Sequence, residues 1–298
     1  MHPELRELRA GDAVLQVWPE VGGALVGWRK AGLPLLRPVP LEMMGQRDAR
    51  RLGAFTLVPF SNRIGWGRFG FGGREYAIRR NTPDHRHPIH GNGWERPWTV
   101  QAAAGASLQL GFAHEAVGEA RAIWPFSFRA ENRIVLTPDQ LTVTLSVENT
   151  GPETMPAGLG LHPFFPLTPD TELSFRAGDV WINDAANLPA ERTPIPDRWR
   201  CDPARLAQGL GLDNCFNAWQ PPVRIGWPER RLSLTMEADK LFGHLVVYVP
   251  EGKPYFATEP VSHMNDGVNH PEQPDNGVRA LAPGERMTGT IRFQVGEG

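Results

Sequence analysis

Leu141-Thr142-Val143-Thr144-Leu145-Ser146-Val147-Glu148-Asn149 alternates apolar and polar side chains along nearly its whole length. Successive side chains of an extended chain point to opposite faces, so this period of two predicts a strand with one face buried. Similar but shorter runs stand at residues 14–18, 108–112, 134–136, 232–236, 244–249 and 288–295, bounded by Gly, Pro, Asn or Asp. Many short strands joined by turns imply an all-β sandwich or barrel. Apolar spacing of three and four residues is nearly absent. Residues 203–209 could supply a turn or two of helix, which is too little for a doubly wound α/β fold.

The 298 residues, 41% of them hydrophobic, can bury a large core. No repeat, low-complexity tract or compositional break divides residues 1–298, which predicts one domain. Ten Trp against three Tyr, with 29 Pro and 32 Gly, suit strands, turns and the walls of a sugar cleft better than helices. The formal net charge of -2 comes from interspersed charges of both signs. That pattern lacks the footprint expected for nucleic acid or an anionic membrane and favours a small or neutral partner. Cys201 and Cys215 are too few for a disulfide framework and lack zinc spacing, so both read as free thiols in a reducing compartment. The segment Met1–Arg9 is charged and has no apolar stretch of signal-peptide length, and no run of about 18 apolar residues occurs, so the expected location is the cytoplasm.

Five strings carry polar residues that a plain surface loop would not need: Ser61–Gly65, His90–Trp94, Gly160–Phe164, Leu212–Phe216 and Thr258–Pro260. His162, set between Leu161 and Pro163, reads either as a satisfied core histidine or as a proton donor working near neutral pH. Glu259 ends an apolar segment and reads either as an exposed charge or as a partly desolvated general base. His90 lies among small residues beside Trp94, which is either a stacking face for a ligand or a core anchor. With His85 and His87 it forms a three-histidine cluster that invites a metal reading, although no Cys, Asp or Glu stands at supporting spacing. Arg63, next to Asn62, could donate to vicinal hydroxyls or form a structural ion pair. Asp213 could accept from hydroxyls or cap a turn. Residues 37–40, 81–93, 163–169 and 260–276 are rich in Pro, Asn and His and are predicted to be loops.

In this order the strings resemble the aldose 1-epimerase (galactose mutarotase) family. Pro19–Leu25 with Leu35–Pro38 is similar to its first hairpin, and Asn62-Arg63-Ile64 to its arginine motif. His90-Gly91, Leu161-His162-Pro163-Phe164, Asp213 and Glu259 are similar to its two histidines, its aspartate and its glutamate. The resemblance implies a large antiparallel β-supersandwich of about two dozen strands with an open cleft. It implies Glu259 as base, His162 as acid, and Arg63, His90 and Asp213 holding a monosaccharide, with no metal or cofactor; Asn62, beside Arg63, and Trp94, as a stacking face, are expected to join them in binding substrate. Two segments depart from better-known members: the run after Asp213, Asn-Cys-Phe-Asn-Ala-Trp, and the run after His90, Gly-Asn-Gly-Trp-Glu-Arg-Pro-Trp. Both bear on which sugar is taken.

Mutarotation opens a hemiacetal and recloses it, so one group must remove the anomeric hydroxyl proton while another protonates the ring oxygen. A carboxylate paired with an imidazolium meets that need and predicts a bell-shaped pH dependence, with a Glu limb on the acid side and a His limb on the alkaline side. Other readings keep the fold but change the task. A non-catalytic carbohydrate-binding or sensor protein would need Arg63 and Asp213 but not both Glu259 and His162. A sugar-phosphate enzyme would need extra cations, for which Arg79, Arg80 and Arg86 are candidates. Oligomeric state, monomer or homodimer, is left open by the sequence.

Overall fold

The alternating segment forms the strand Gln140–Asn149, with Leu141, Val143, Leu145 and Val147 all buried. It runs antiparallel between Phe128–Leu136 and Arg286–Gly296, where the Thr144 and Thr290 hydroxyls meet at 3.1 Å across the ladder. These strands lie within a nine-stranded antiparallel sheet. The other six predicted runs also fall on strands, to within a residue. The structure is a computed structural model describing residues 4–297. Met1, His2 and Pro3 of the charged N-terminal segment lie outside the described residues, as does Gly298.

A second, eleven-stranded antiparallel sheet covers the first, and two short two-stranded ribbons complete the described strands. Trp28 and Phe165 of the larger sheet meet Phe293 of the smaller one at centroid distances of 6.2 and 6.3 Å, and Phe216 meets Phe175 at 4.9 Å. One apolar cluster containing all five of these rings fills the space between the sheets. Each fully buried aromatic or aliphatic side chain contributes about 1.5–3 kcal/mol by leaving water. The larger sheet carries a further apolar cluster on its outer side, with Phe55, Trp94, Phe164, Val246, Ala257 and Val261 among its members.

Its middle strands are therefore buried on both faces, and every residue of Gly160–Pro166 is buried. Strands of this kind read as continuous apolar runs without alternation, which is why residues 163–169 look like a loop in the sequence. In fact Pro163–Pro166 belongs to a central strand that pairs with Ala54–Leu57 on one side and Tyr255–Val261 on the other. Pro260 likewise lies inside its strand. The predicted turn of helix at 203–209 is absent, and Arg205–Leu206 instead adds a short edge strand to Glu172–Leu173. A few residues between Pro203 and Gly209 cannot repay helix nucleation, whereas pairing to a ready-made edge satisfies backbone at once. Among the described residues the one α-helix is Leu41–Met44, and no helix is long and apolar enough to cross a membrane.

Phe165 is fully buried against Phe256 and Phe293. Phe165→Ala is expected to cost about 3–5 kcal/mol by urea denaturation. Thr142→Ala, on the other face of the smaller sheet's ladder, is expected to stay within about 0.5 kcal/mol.

Candidate active site

Two prolines interrupt the ladder between Gly160–Pro166 and Tyr255–Val261. The pairing is regular at Gly160 with Val261 and again at Phe164 with Ala257, with no ladder partners between. Proline has no N–H to donate, so Pro163 and Pro260 open this gap in the middle of a sheet. The register on either side sets His162 opposite Glu259, and directly opposed residues of antiparallel strands share a face. His162 Nε2 lies 3.1 Å from Glu259 Oε1. His162 also stacks on Phe55 at 4.7 Å and abuts Phe164 at 4.3 Å. The pair forms the floor of a cleft of about 640 Å³.

Arg63 reaches that cleft from a loop pinned at both ends, and His90 from the separate 89–91 segment bridged to it. The Ser61 N–H donates to His263 Nε2 at 2.9 Å, and the Gly65 N–H to Asp266 Oδ1 at 2.8 Å. Asn62 adopts a positive φ of 55°, and its Oδ1 accepts from both the backbone N–H and the guanidinium of Arg63. Asn62 therefore aims Arg63, which also donates to Asp213 at 3.2 Å. The Asn62 N–H donates to His90 Nδ1 at 3.1 Å, which leaves the His90 proton on Nε2. Gly91, at φ 66°, cannot be replaced here: a Cβ would come within 2.0 Å of the Val58 carbonyl oxygen. Asp213 begins the strand Asp213–Asn217, opposite Tyr248.

Arg63, Asn62, His90, His162, Asp213 and Glu259 all line the cleft, but Trp94 does not. Its ring is buried beneath Phe55 and Arg50 and donates to the Ile89 carbonyl, so it is a core anchor rather than a stacking face. The three-histidine cluster is also dispersed. His87 is buried, with its ring nitrogens meeting the Trp66 N–H and the Ala186 carbonyl. Only His85 and His90 face the cleft. Among the described residues no group of three or more His, Cys, Asp or Glu is placed to hold a metal. Arg79 and Arg80 line a separate depression with Glu95 and Arg96. Sequence reasoning missed Arg37, Phe55, Tyr248 and Tyr255, which line the cleft without any local motif to mark them.

Burial dominates the electrostatics. It pushes Glu259 well above the ordinary carboxylate range, with Asp213 adding to the rise and Arg63 opposing it. It lowers His162 to about 3, assisted by the nearby Arg37 charge. It holds His90 well below its usual value, so His90 is neutral. The order of the two limbs expected from sequence is therefore reversed. A single proton resides on the Glu259–His162 pair over a wide pH range, because a second proton or none would leave a net buried charge. Cys215, one strand further along the sheet beyond His244–Tyr248, is pushed up to about 12 by burial and is no nucleophile.

An acid–base pair facing a cleft with a fixed cation and a neutral donor suits proton shuttling on a polyhydroxylated ligand. The model of the aldose 1-epimerase family matches residues 4–294. The uncharacterized protein YphB of Escherichia coli strain K12 is 31% identical, covering 92% of this chain and 93% of its own length. A crystal structure from Escherichia coli K12, the b2544 protein provisionally described as an aldose 1-epimerase, is similar at a TM-score of 0.89 and 31% identity, covering 99% of each chain. A galactose mutarotase-like protein from Clostridium acetobutylicum shares the fold at a TM-score of 0.86 and 21% identity, over 98% of this chain and 95% of its own. With that family matched over nearly its whole length, and the same antiparallel supersandwich beneath its cleft, this chain belongs to the aldose 1-epimerase family.

Proposed function

We propose that the protein is a mutarotase that interconverts the α and β anomers of an aldose, with Glu259 as base and His162 as acid. The observation that carries this reading is the opposed His162–Glu259 pair, 3.1 Å apart at the floor of the cleft. Transfer of the shared proton along that contact gives the carboxylate–imidazolium form. Glu259 then takes the proton from the anomeric hydroxyl while His162 Nε2 gives one to the ring oxygen. The C1–ring oxygen bond breaks and the C1 carbonyl forms. Rotation about C1–C2 presents the other face, and the same groups run in reverse. His90 Nε2–H and the Arg63 guanidinium donate to hydroxyls, and Asp213 accepts from one. A purely binding protein on this scaffold has no use for a desolvated acid–base pair.

Polarimetry of freshly dissolved α-aldoses tests the reading directly. Glu259→Gln and His162→Asn are each expected to lower turnover by at least ~10²-fold with circular dichroism unchanged. Wild-type turnover in either well-folded variant would sink the assignment. Arg63→Ala is expected to act mainly through KM.

The pH profile separates this pair from an ordinary exposed one. Lowering pH through the depressed His162 value, about 3, adds a second proton and leaves no base. Raising pH through the elevated Glu259 value removes the shared proton and leaves no acid. After correction for the uncatalysed rate, kcat is expected to show no inflection through the ordinary histidine range at about 6.5, and to fall only on the acid side through His162 and on the alkaline side through Glu259. A titration near the ordinary histidine value, abolished by His162→Asn, would contradict it.

A further inference from the structure

The charges along the cleft wall are unevenly partnered. Arg63 and Arg50 lie within salt-bridge distance of Asp213 and Asp84, at 3.2 and 3.3 Å, and Glu259 meets His162. Beyond them, Arg37, Arg51 and Lys253 also line the cleft. Among the described residues Arg37 and Lys253 have no carboxylate within salt-bridge distance, and Arg51 has only Asp48 at 3.9 Å.

Arg37 is a built feature, 8% exposed. Its guanidinium lies 3.6 Å over the Phe164 ring and 4.6 Å over Tyr255. It donates to the backbone carbonyls of Arg50 and Leu52, the residues on either side of Arg51, so the two cations are held side by side. Lys253 approaches from the segment leading into Tyr255. Burying a guanidinium without a carboxylate is costly, and here backbone carbonyls, ring faces and the Tyr255 side chain offset it. Arg37 is lowered to about 10 by that burial, with Tyr255 opposing and Arg51 adding to the fall, and it stays charged at neutral pH.

The position along the cleft also has chemical meaning. Phe164 is two residues beyond His162 on the same strand face, about 7 Å along the strand. If Glu259 addresses the anomeric oxygen and His162 the ring oxygen, the next ring atom beyond that oxygen is C5, so its exocyclic carbon lies on the His162 side of the ring, over the strand that carries Phe164 and, above it, Arg37. We infer that Arg37, Arg51 and Lys253 form a subsite for an anionic group carried on the C5 substituent of the aldose, a phosphate ester or a carboxylate.

This inference rests on the mutarotase reading, and the experiment separates the two. Anomer exchange is measured by NMR for D-glucose, D-glucose 6-phosphate and D-glucuronate with wild type, Glu259→Gln and the exposed-site double variant Arg51→Met/Lys253→Met. In wild type at low salt, at least one anionic sugar is expected to exceed glucose about tenfold or more in kcat/KM, chiefly through KM. That ratio is expected to fall with added salt and to collapse toward one in the double variant. The phosphate and uronate arms identify which anion is taken. Glu259-dependent exchange of glucose with no gain for either anionic sugar would overturn the subsite and leave the mutarotase reading standing. A preference unchanged in the double variant would overturn it as well. No acceleration of any sugar would overturn both. Should the double variant misfold, the wild-type ratio and its salt dependence decide alone.

Discussion

Everything distinctive about this site follows from placing a carboxyl and an imidazole face to face on strands packed by apolar side chains on both faces, with only the cleft above them. His162 and Glu259 are 7% and 2% exposed. A carboxyl group moved from water to such a setting resists ionisation and an imidazole resists protonation, so the two are pushed toward sharing one proton. The prolines that follow each of them complete the arrangement. By removing N–H donors at Pro163 and Pro260, the chain loosens the ladder where His162 and Glu259 face one another. The surrounding strands hold the backbone, so the break does not become a flexible loop.

Above this floor stands a layer of donors whose directions are set by neighbours rather than by their own rotamers. Asn62 illustrates the economy: its backbone N–H fixes the His90 tautomer while its side chain aims Arg63. Two residues in left-handed backbone, Asn62 and His90, stand next to each other in space, and strain of about 1–3 kcal/mol at such positions persists only where the surroundings over-determine it. Here the over-determination comes from the pinned 61–65 loop and from the close approach of Gly91 to Val58.

How much of this could be read from sequence depended on where each residue is buried. Leu141–Val147 was legible because one face is wet and one dry, so alternation survives. Gly160–Pro166 was not, because both its faces are dry and two of its residues are prolines. Arg63, His90, His162, Asp213 and Glu259 stood out only as an ordered set resembling a family, since each alone had an equally good structural reading. Trp94 was misjudged because a tryptophan beside glycines looks the same in sequence whether its ring faces a ligand or the core. Arg37 stood in the sequence only as part of the Leu35–Pro38 segment and gave no sign of lining a cleft, since a lone arginine before a proline is unremarkable until Phe164 and Tyr255 are folded beneath it.

The order in which the site strands occur in the chain has a consequence for biogenesis. Phe55, His162 and Glu259 are neighbours in the sheet, yet the chain must extend through Val261 before the last of their strands exists. The facing sheet needs Arg286–Gly296 at its centre as well. Closing such distant pairings carries a large entropic cost before any contact repays it. A chain made only as far as the residues before Tyr255 would therefore hold neither a closed core nor the His162–Glu259 contact, and both would arrive late, with the strands between Tyr255 and Gly296.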